Sequence, residues 1–558
     1  MKKYIALSLL ALSMGLISCN DFLDKLPDNR TEANTEVKIQ KLLVSAYPTH
    51  DHMAFTEYAS DNVDDMGEKN PYTERFLDEI YHWTDVTESD NQDPESYWMD
   101  LYQCIETANM ALEGIESMGG ATTPSLKEAK AEALLCRAYA HFMLVNVFAM
   151  HYDANNPNAI GVSYVTETEK ELNPKYQRET VHQNYAHIAA DLEAALPDVG
   201  DSYYSVPKYH FNKNAAYAFA CRFYLYYEKY DKAIEYANKV LGTNPKAMLR
   251  NNQHISTLPR EWVQGQGPIP MYQIEATQNC NLLLLTSYSN QPVNFGPYYT
   301  GKRYSHNAYI GMNEDINALA GLWGATYESY LAQVFRYSGT NLDAWLTWRL
   351  PYLFEYTDLV AGIGYRHTVY NAFSGDEVLL NRIEANILLK NFDKACEDMT
   401  VWVRNSVVSR YKDIVVDTAM VNKFMNAIPY SYDNGKGERN DSVASTLKKH
   451  LNPKFTIDQE GSDQENMLQL VLAMRRYETL LEGKRWFDIK RWGIEIPRRV
   501  MDSAGAPESI TDWLKVDDPR RAIQIPQKVR EAGYQPNPRA NSGDDTNGVL
   551  IPDNYLLK

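Results

Sequence analysis

The residues in this sequence best suited to chemistry are aromatic side chains interspersed with amides and arginines, and they concentrate between residues 246 and 375. An aromatic ring offers a flat apolar face, and neighbouring amides or guanidinium groups can hydrogen-bond at its edge. This combination suits non-covalent recognition of sugar rings, and also of aromatic or proline-rich peptides. Each aromatic residue has core packing as its alternative role. The candidate ligand-binding residues are Trp83, Tyr298, Tyr299, Arg303, Tyr304, Trp323 and Trp345.

Motifs of the common catalytic sites are absent from the sequence. It contains no H-E-x-x-H, no G-x-S-x-G, no phosphate-binding P-loop and no dinucleotide-binding glycine pattern. A glycoside hydrolase needs two carboxylates at a defined separation in space, and the chain has too many carboxylates to choose a pair. We predict a protein that is not an enzyme, and a surface glycoside hydrolase is the alternative.

Three aspartates lie close together in the sequence, at Asp61, Asp64 and Asp65. They could share a cation, but their spacing does not match the calcium-binding loop of an EF-hand. We interpret them as a solvated acidic loop, and we predict neither a metal nor a cofactor. The net charge of −18 argues against binding to nucleic acid, because phosphates require a basic surface.

The N-terminus has the pattern of an export signal. Lys2 and Lys3 form a short positive end, and residues 5–17 are almost wholly apolar. This run is shorter than the roughly 20 apolar residues that span a membrane as a helix. It therefore predicts a signal peptide over residues 1–18.

Cys19 follows the small residue Ser18, as the lipidated cysteine does in a bacterial lipobox. The signal would then be cut before Cys19, which would become a lipidated N-terminus, with residues 19–32 as a flexible tether. A plain secretory signal with a chance cysteine is the alternative. The other cysteines are odd in number and form no C-x-x-C motif, so we expect buried free thiols and not a disulfide framework.

Helical patterns recur in pairs along the chain. In residues 212–245, small residues lead to Tyr-Asp-Lys-Ala at 230–233, which is the tetratricopeptide pattern of two closely packed helices. Residues 376–405 repeat it, with Phe-Asp-Lys-Ala at 392–395, and residues 126–197 form a looser copy. Such pairs cannot bury their apolar faces alone, so they should stack into a scaffold.

An irregular insertion, residues 246–375, separates two of these copies and is rich in Asn, Gly, Thr and Tyr. Strand-like runs appear within it at 269–274 and 283–288. A large irregular insertion in a helical scaffold often carries function. We predict one mainly α domain over residues 33–558, with a tetratricopeptide-like helix-pair scaffold, a large loop-rich ligand-binding half and few short strands.

The stretch RRYETLLEGKRWFDIKRWG at 475–493 resembles the C-terminal signature of the SusD/RagB family of outer-membrane nutrient-binding lipoproteins. Other stretches are similar to the family in the family's order: Asp-Phe-Leu-Asp at 21–24, Arg-Ala-Tyr at 137–139, Ile-Gln-Ile-Pro at 523–526 and Gln-Pro-Asn-Pro at 535–538. Together they cover nearly the whole chain. We interpret 475–493 itself as an amphipathic helix that serves as a structural clasp.

The resemblance implies a lipid-anchored protein of the outer membrane, exposed at the cell surface, that captures a nutrient. The nutrient is commonly a glycan and in some members a peptide. The resemblance also implies a partner, a TonB-dependent transporter barrel of the SusC/RagA type, on which the protein would sit as a lid. It assigns no site residue position by position. A tetratricopeptide adaptor that binds only protein is a further alternative, against which the insertion argues.

Overall fold

Helices account for most of the ordered elements. The computed structural model describes residues 33–539, except 68–69, 71, 172–173, 262–265, 296–301, 333, 338–343, 434–439 and 441–443. The helices are α1 (Glu36–Leu43), α2 (Met53–Ala59), α3 (Arg75–Tyr81), α4 (Pro94–Ser117), α5 (Pro124–Phe148), α6 (Val181–Ala195), α7 (Lys213–Tyr226), α8 (Tyr230–Leu241), α9 (Asn252–Ile255), α10 (Pro268–Gln273), α11 (Gln291–Phe295), α12 (Ala308–Asn313), α13 (Ile316–Ala320), α14 (Gly375–Leu388), α15 (Phe392–Ser406), α16 (Thr418–Asn426), α17 (Asp463–Glu478), α18 (Arg485–Trp492) and α19 (Gln527–Glu531).

Local sequence signals explain where the long helices begin. Thr123 caps α5 by accepting a hydrogen bond from the backbone N–H of Leu126, and the proline that follows fits the first turn. Thr180 and Gln183 form a capping box at the start of α6. The alanine-rich α5 is buried along most of its length, because small side chains let α4 and α6 approach it closely.

The helix-pair scaffold is built from α5 with α6, α7 with α8, and α14 with α15. These pairs fall within the segments that carry the repeat pattern. Helix α8 also packs against α14, and α14 against α17, so neighbouring pairs stack side by side. The stacking buries the apolar face that each pair cannot cover alone.

Buried arginine–carboxylate pairs fasten these helices to one another. Arg137 of α5 donates two hydrogen bonds, of 2.7 and 2.6 Å, to the carboxylate of Asp191 in α6. Arg222 of α7 likewise donates two hydrogen bonds to the carboxylate of Glu377 in α14. Such paired contacts fix both distance and orientation, which a single point charge does not.

The strands are few and form small sheets within the described residues. They are β1 (Asp64–Asp65), β2 (Asn281–Tyr288), β3 (Tyr304–Ser305), β4 (Phe335–Tyr337), β5 (Ala344–Leu346), β6 (Leu353–Asp358), β7 (Ile363–Ser374), β8 (Ile496–Met501) and β9 (Pro507–Leu514). A four-stranded sheet has the order β3-β1-β8-β9, a three-stranded sheet has the order β2-β7-β6, and β4 pairs with β5. The three-stranded sheet ends in a hairpin, β6–β7, which extends beyond β2.

The signature stretch 475–493 is not one amphipathic helix, as the sequence suggested, but the end of α17, a tight turn and the whole of α18. The turn requires left-handed backbone at Leu481 and Gly483. A Cβ atom at Gly483 would lie 2.6 Å from Cα of Met53, so only glycine fits there. Both helices are buried on all sides, and their arginines Arg475 and Arg491 pair with Glu384 inside the protein instead of facing solvent.

One further local prediction needs correction. Residues 269–274, expected as a strand, fall mainly in helix α10, because Pro268 at its first position favours a helical start. The chain after Ile494 contains the paired strands β8 and β9. The prediction of a mainly α fold with few short strands is confirmed.

The five cysteines in the described residues are buried free thiols, as the sequence predicts. Burial raises the pKa of Cys104 and Cys136 well above the usual value. Within the part of the chain that the structure describes, none of the helices combines the length and apolar character needed to cross a membrane.

Replacing Arg137 should be costly, because Asp191 would be left buried without its partner. We expect Arg137→Met to lower the free energy of unfolding by about 3–5 kcal/mol, measured by urea denaturation. Lys130→Met, on the same helix, removes the exposed pair with Glu116 and should cost less than about 1 kcal/mol. Equal losses for the two variants would contradict the structural role of the buried pair.

Lys490 should make stability depend on pH, because it is buried and donates to the carbonyl oxygens of Asn146 and Ala149 at the end of α5. Burial, with Arg521 as the second cause, lowers its pKa to about 7. The unfolded chain keeps a lysine near pKa 10.4, so folding releases a proton between these values, and stability falls as the pH drops from about 10 to 7.

The Lys490→Met variant should lack this dependence. Between pH 7 and 9 the wild type should gain about 2 kcal/mol of unfolding free energy relative to the variant. Urea denaturation at the two pH values measures this difference. Parallel changes in the two proteins would show that Lys490 does not titrate in this range.

Candidate functional site

Three of the predicted functional residues lie outside the described residues: Cys19, Tyr298 and Tyr299. The others are Trp83, Arg303, Tyr304, Trp323 and Trp345, and the structure separates them into different places.

Trp83 and Tyr304 are core residues on one face of the four-stranded sheet. The ring of Trp83 is 6% exposed and lies 3.8 Å from the guanidinium of Arg498, measured to the ring centroid. Tyr304 stacks on Tyr81 with ring centroids 4.1 Å apart, and its hydroxyl donates to the carboxylate of Asp78. Both rings are therefore held in place by protein partners.

Trp323 and Trp345 are buried elsewhere in the insertion. The indole N–H of Trp323 donates to the hydroxyl of Ser329 at 2.9 Å. Trp345 is wholly buried, and a Cβ atom at Gly311 would come within 2.6 Å of its ring. These two indoles and the two rings beside the sheet are buried, and burial of a large apolar ring stabilises the core.

Arg303 differs from the other described candidates because 28% of its side chain is exposed. Its guanidinium donates two hydrogen bonds, of 2.8 and 2.9 Å, to the carboxylate of Asp65. Its backbone N–H donates to the carbonyl oxygen of Tyr72, and this hydrogen bond joins the segment around Arg303 to the segment around Tyr72. Arg303 is thus a fixed, partly exposed cation at the edge of the insertion.

The acidic group Asp61, Asp64 and Asp65 is not a solvated loop, which corrects the sequence interpretation. All three side chains are buried and bonded to arginines. Burial alone would raise the pKa of Asp61, but Arg476 and Arg485 outweigh it and hold the pKa well below its usual value. These carboxylates are therefore occupied by protein cations and are not free for a metal.

Among the described residues of the insertion, aromatic side chains reach the surface on the β6–β7 hairpin. Phe354 and Tyr356 alternate along β6, so their rings share one face, with centroids 4.9 Å apart. Arg366 lies opposite Phe354 in β7, and its guanidinium is 5.8 Å from the ring centroid of Tyr352. Tyr356 is 55% exposed. We call Tyr352, Phe354, Tyr356 and Arg366 the hairpin surface.

Gly364 keeps this surface flat. It pairs with Tyr356 across the hairpin, and a Cβ atom in its place would lie 2.7 Å from the ring of Phe354. The absence of a side chain lets the phenylalanine ring lie over the strand. The result is an accessible platform of two rings with an arginine beside it.

Polar groups border the hairpin surface. Arg366 donates to the side-chain oxygen of Asn290 at 3.2 Å, and Lys302 donates to the side-chain oxygen of Asn294 at 3.0 Å. Burial lowers the pKa of Lys302, while the carboxylate of Glu74 opposes that change. Arg366 and Asn290 therefore supply a guanidinium and an amide group beside the hairpin surface.

This arrangement is suited to non-covalent binding of a ligand. A flat ligand can stack on Phe354 and Tyr356 while its hydroxyl or amide groups bond to the polar border. Sequence reasoning missed the hairpin surface because the insertion showed weak periodicity overall. The alternation Phe-Glu-Tyr-Thr at 354–357, a strand pattern, was the signal that could have found it. Among the described residues, no three or more His, Cys, Asp or Glu side chains are grouped so as to hold a metal ion.

Comparison with solved structures finds the same fold in several proteins. A SusD superfamily protein from Bacteroides thetaiotaomicron is 18% identical, with 90% of this chain and 100% of that chain covered and a TM-score of 0.59. A SusD superfamily protein from Bacteroides vulgatus is 16% identical, with coverages of 90% and 99% and a TM-score of 0.60. A SusD-like carbohydrate binding protein from Bacteroides vulgatus is 13% identical, with coverages of 89% and 96% and a TM-score of 0.56.

Two family profiles match the sequence itself. A SusD-like family described as starch-binding and associating with the outer membrane matches residues 21–225. The SusD family, under the joint name of SusD and RagB, matches residues 376–548. No curated protein matches the chain. The matched segments together cover more than half of the sequence and agree with the shared fold, so the chain belongs to the SusD/RagB family.

Proposed function

We propose that this chain is a non-catalytic cell-surface protein that captures a glycan on the hairpin surface and delivers it to a TonB-dependent transporter of the SusC/RagA type. The observation that carries the proposal is the pair of rings on one face of the hairpin, the half-buried Phe354 and the exposed Tyr356, bordered by Arg366 and Asn290. Family membership supports a nutrient-binding role, and the description of one matching family as starch-binding supports a glycan.

The shape of the hairpin surface suits transfer more than storage. An open platform buries one face of a sugar chain and leaves the other face in water, so affinity should be modest. A modest affinity allows release, which delivery to a second protein requires. A deep pocket with the same groups would hold its ligand too long for that purpose.

Anchoring through Cys19 would hold the body at the outer membrane, next to the transporter. A lipid at the end of a tether leaves the folded domain free to move as a unit. Anchoring both proteins in the same membrane raises their effective concentration. The protein and its proposed partner would therefore meet repeatedly, even without a permanent interface.

The ligand can be identified with unlipidated protein, residues 20–558, incubated with a panel of glycans and a mixture of peptides. We expect an intact glycan to be retained, as measured by mass spectrometry. Tyr356→Ala should weaken its binding roughly tenfold, because the aromatic contact is lost. Retention of peptides alone would replace the glycan with a peptide, and cleavage with turnover would overturn the binding role.

Tyr411→Ala is the matched control for that experiment. Tyr411 also lies beside an arginine, with the guanidinium of Arg410 5.5 Å from its ring centroid, but it belongs to the helical half of the chain. Glycan affinity should be unchanged in this variant. A loss equal to that of Tyr356→Ala would show that the hairpin surface is not the site.

Lipidation can be tested separately from ligand binding. Cells that express the protein should incorporate labelled palmitate into it, and Cys19→Ala should abolish the label and release the protein from the membrane fraction. A variant that keeps the label would rule out Cys19 as the lipidated residue. Glycan binding by the released protein should match that of the wild type, since the tether does not contribute to the hairpin surface.

A further inference from the structure

A cavity lies on the side of the four-stranded sheet opposite Arg303. Neighbouring residues in β1 point to opposite faces, so Asp65 binds Arg303 on one side and Asp64 binds Arg499 on the other. The cavity on the Asp64 side has a volume of about 330 Å³. This is within the usual range of about 300–1,000 Å³ for small-ligand pockets.

Two aromatic residues form one wall of this cavity. Trp513 of β9 and Tyr432 meet edge to face, with ring centroids 5.2 Å apart. The hydroxyl of Tyr432 accepts a hydrogen bond of 3.0 Å from Arg499, and the backbone of Tyr432 is left-handed, with φ of 58°. Left-handed backbone at a tyrosine is uncommon and is held here by its neighbours. The wall is therefore fixed in shape.

The floor of the cavity is lined by charged side chains, but these form ion pairs with other protein groups. Asp64 is bonded to Arg499, and Glu314 is bonded to both Arg499 and Lys449. Burial lowers the pKa of Lys449 to about 8, although Glu314 opposes the change. The carboxylate of Asp61 is bonded to Arg485. These groups satisfy one another and leave little charge for a ligand.

Glu495 is the exception among the carboxylates that line the cavity. It lies immediately before β8 and shares a face with Pro497, which pairs with Trp513 across the strands. Within the described residues it has neither a hydrogen bond nor an ion pair, whereas Glu460, at the rim, is bonded to His450. A carboxylate without a partner, next to an indole ring, favours binding of a cation. The carboxylate can form an ion pair with the cation, and the electron-rich face of the ring can also attract it.

We propose that this cavity binds a small organic cation, with its ammonium or guanidinium group against Glu495 and its carbon skeleton against Trp513. Such a group could come from an amino sugar or from a basic amino acid, and the two share the chemistry that the cavity recognises. None of the residues that line the cavity belongs to the hairpin surface. The proposal is therefore independent of glycan capture and can hold or fail separately.

Calorimetric titration of the detergent-purified full-length lipoprotein tests the proposal with charged and neutral probes of matched shape. The pairs are glucosamine with glucose, and N-acetyl-arginine amide with N-acetyl-citrulline amide, whose α-amines are blocked, at mildly acidic pH where the amine of glucosamine is protonated. We expect at least one cation to bind and its neutral counterpart not to bind. The pair that shows the difference identifies the source of the cation.

Variants then assign the binding to the cavity. Glu495→Gln should weaken binding of the cation at least tenfold, and Trp513→Leu should weaken it severalfold. Glu508→Gln removes an exposed carboxylate on the same hairpin, outside the cavity lining, and should leave affinity unchanged. Tyr356→Ala should also leave it unchanged, which separates this site from glycan binding.

Three results would overturn the proposal. One is equal binding of a cation and its neutral partner, which would mean that charge is not recognised. Another is undiminished binding in Glu495→Gln when thermal unfolding shows the variant to be folded. The third is the absence of binding by all four probes.

Discussion

The contact of Asp61 with Arg485 and Arg476 is the constraint on which the rest of the structure depends. It joins the N-terminal segment to the signature helices α17 and α18, more than 400 positions later in the chain, through hydrogen bonds of 2.8 and 2.9 Å from Arg485. Burying three charged groups costs several kcal/mol for each ion, and only close pairing offsets that cost. Arg476 also binds the carbonyl oxygen of Asp61, so the backbone is fixed together with the side chain. The arrangement therefore contributes more to fixing how these distant segments meet than to the free energy of unfolding.

The sheet built next to this contact separates two chemically different surfaces. Because side chains alternate along β1 and β8, Asp65 and Arg498 face the buried aromatic core and Arg303, while Asp64 and Arg499 face the cavity. The helix pairs contribute none of the hairpin-surface residues, and they supply the rigid wall on which strands and loops are held.

The helical scaffold was predictable from the sequence because its signal is local and repeated. Small residues at helical spacing, caps such as Thr180, and the duplicated Asp-Lys-Ala motif need no long-range information. The prediction that the signature stretch is one continuous helix was wrong, because the turn at Leu481 and Gly483 depends on packing against α2. The aromatic residues of the insertion were found as a group, but which of them stay exposed was not readable. Trp345 and Tyr356 are both large rings among polar residues, and one is buried while the other is 55% exposed.

The sequence by itself determined the family, the mainly α scaffold and the location of the irregular insertion, since these follow from motif order and periodicity. Tertiary structure alone decided which aromatic rings are available to a ligand and which carboxylates are free. Asp61, Asp64 and Glu495 are the same kind of group in the sequence, yet only Glu495 lacks a partner among the described residues. The physical reason is that pairing and exposure depend on contacts between residues hundreds of positions apart, and each such contact changes the free energy of a side chain more than its local sequence does.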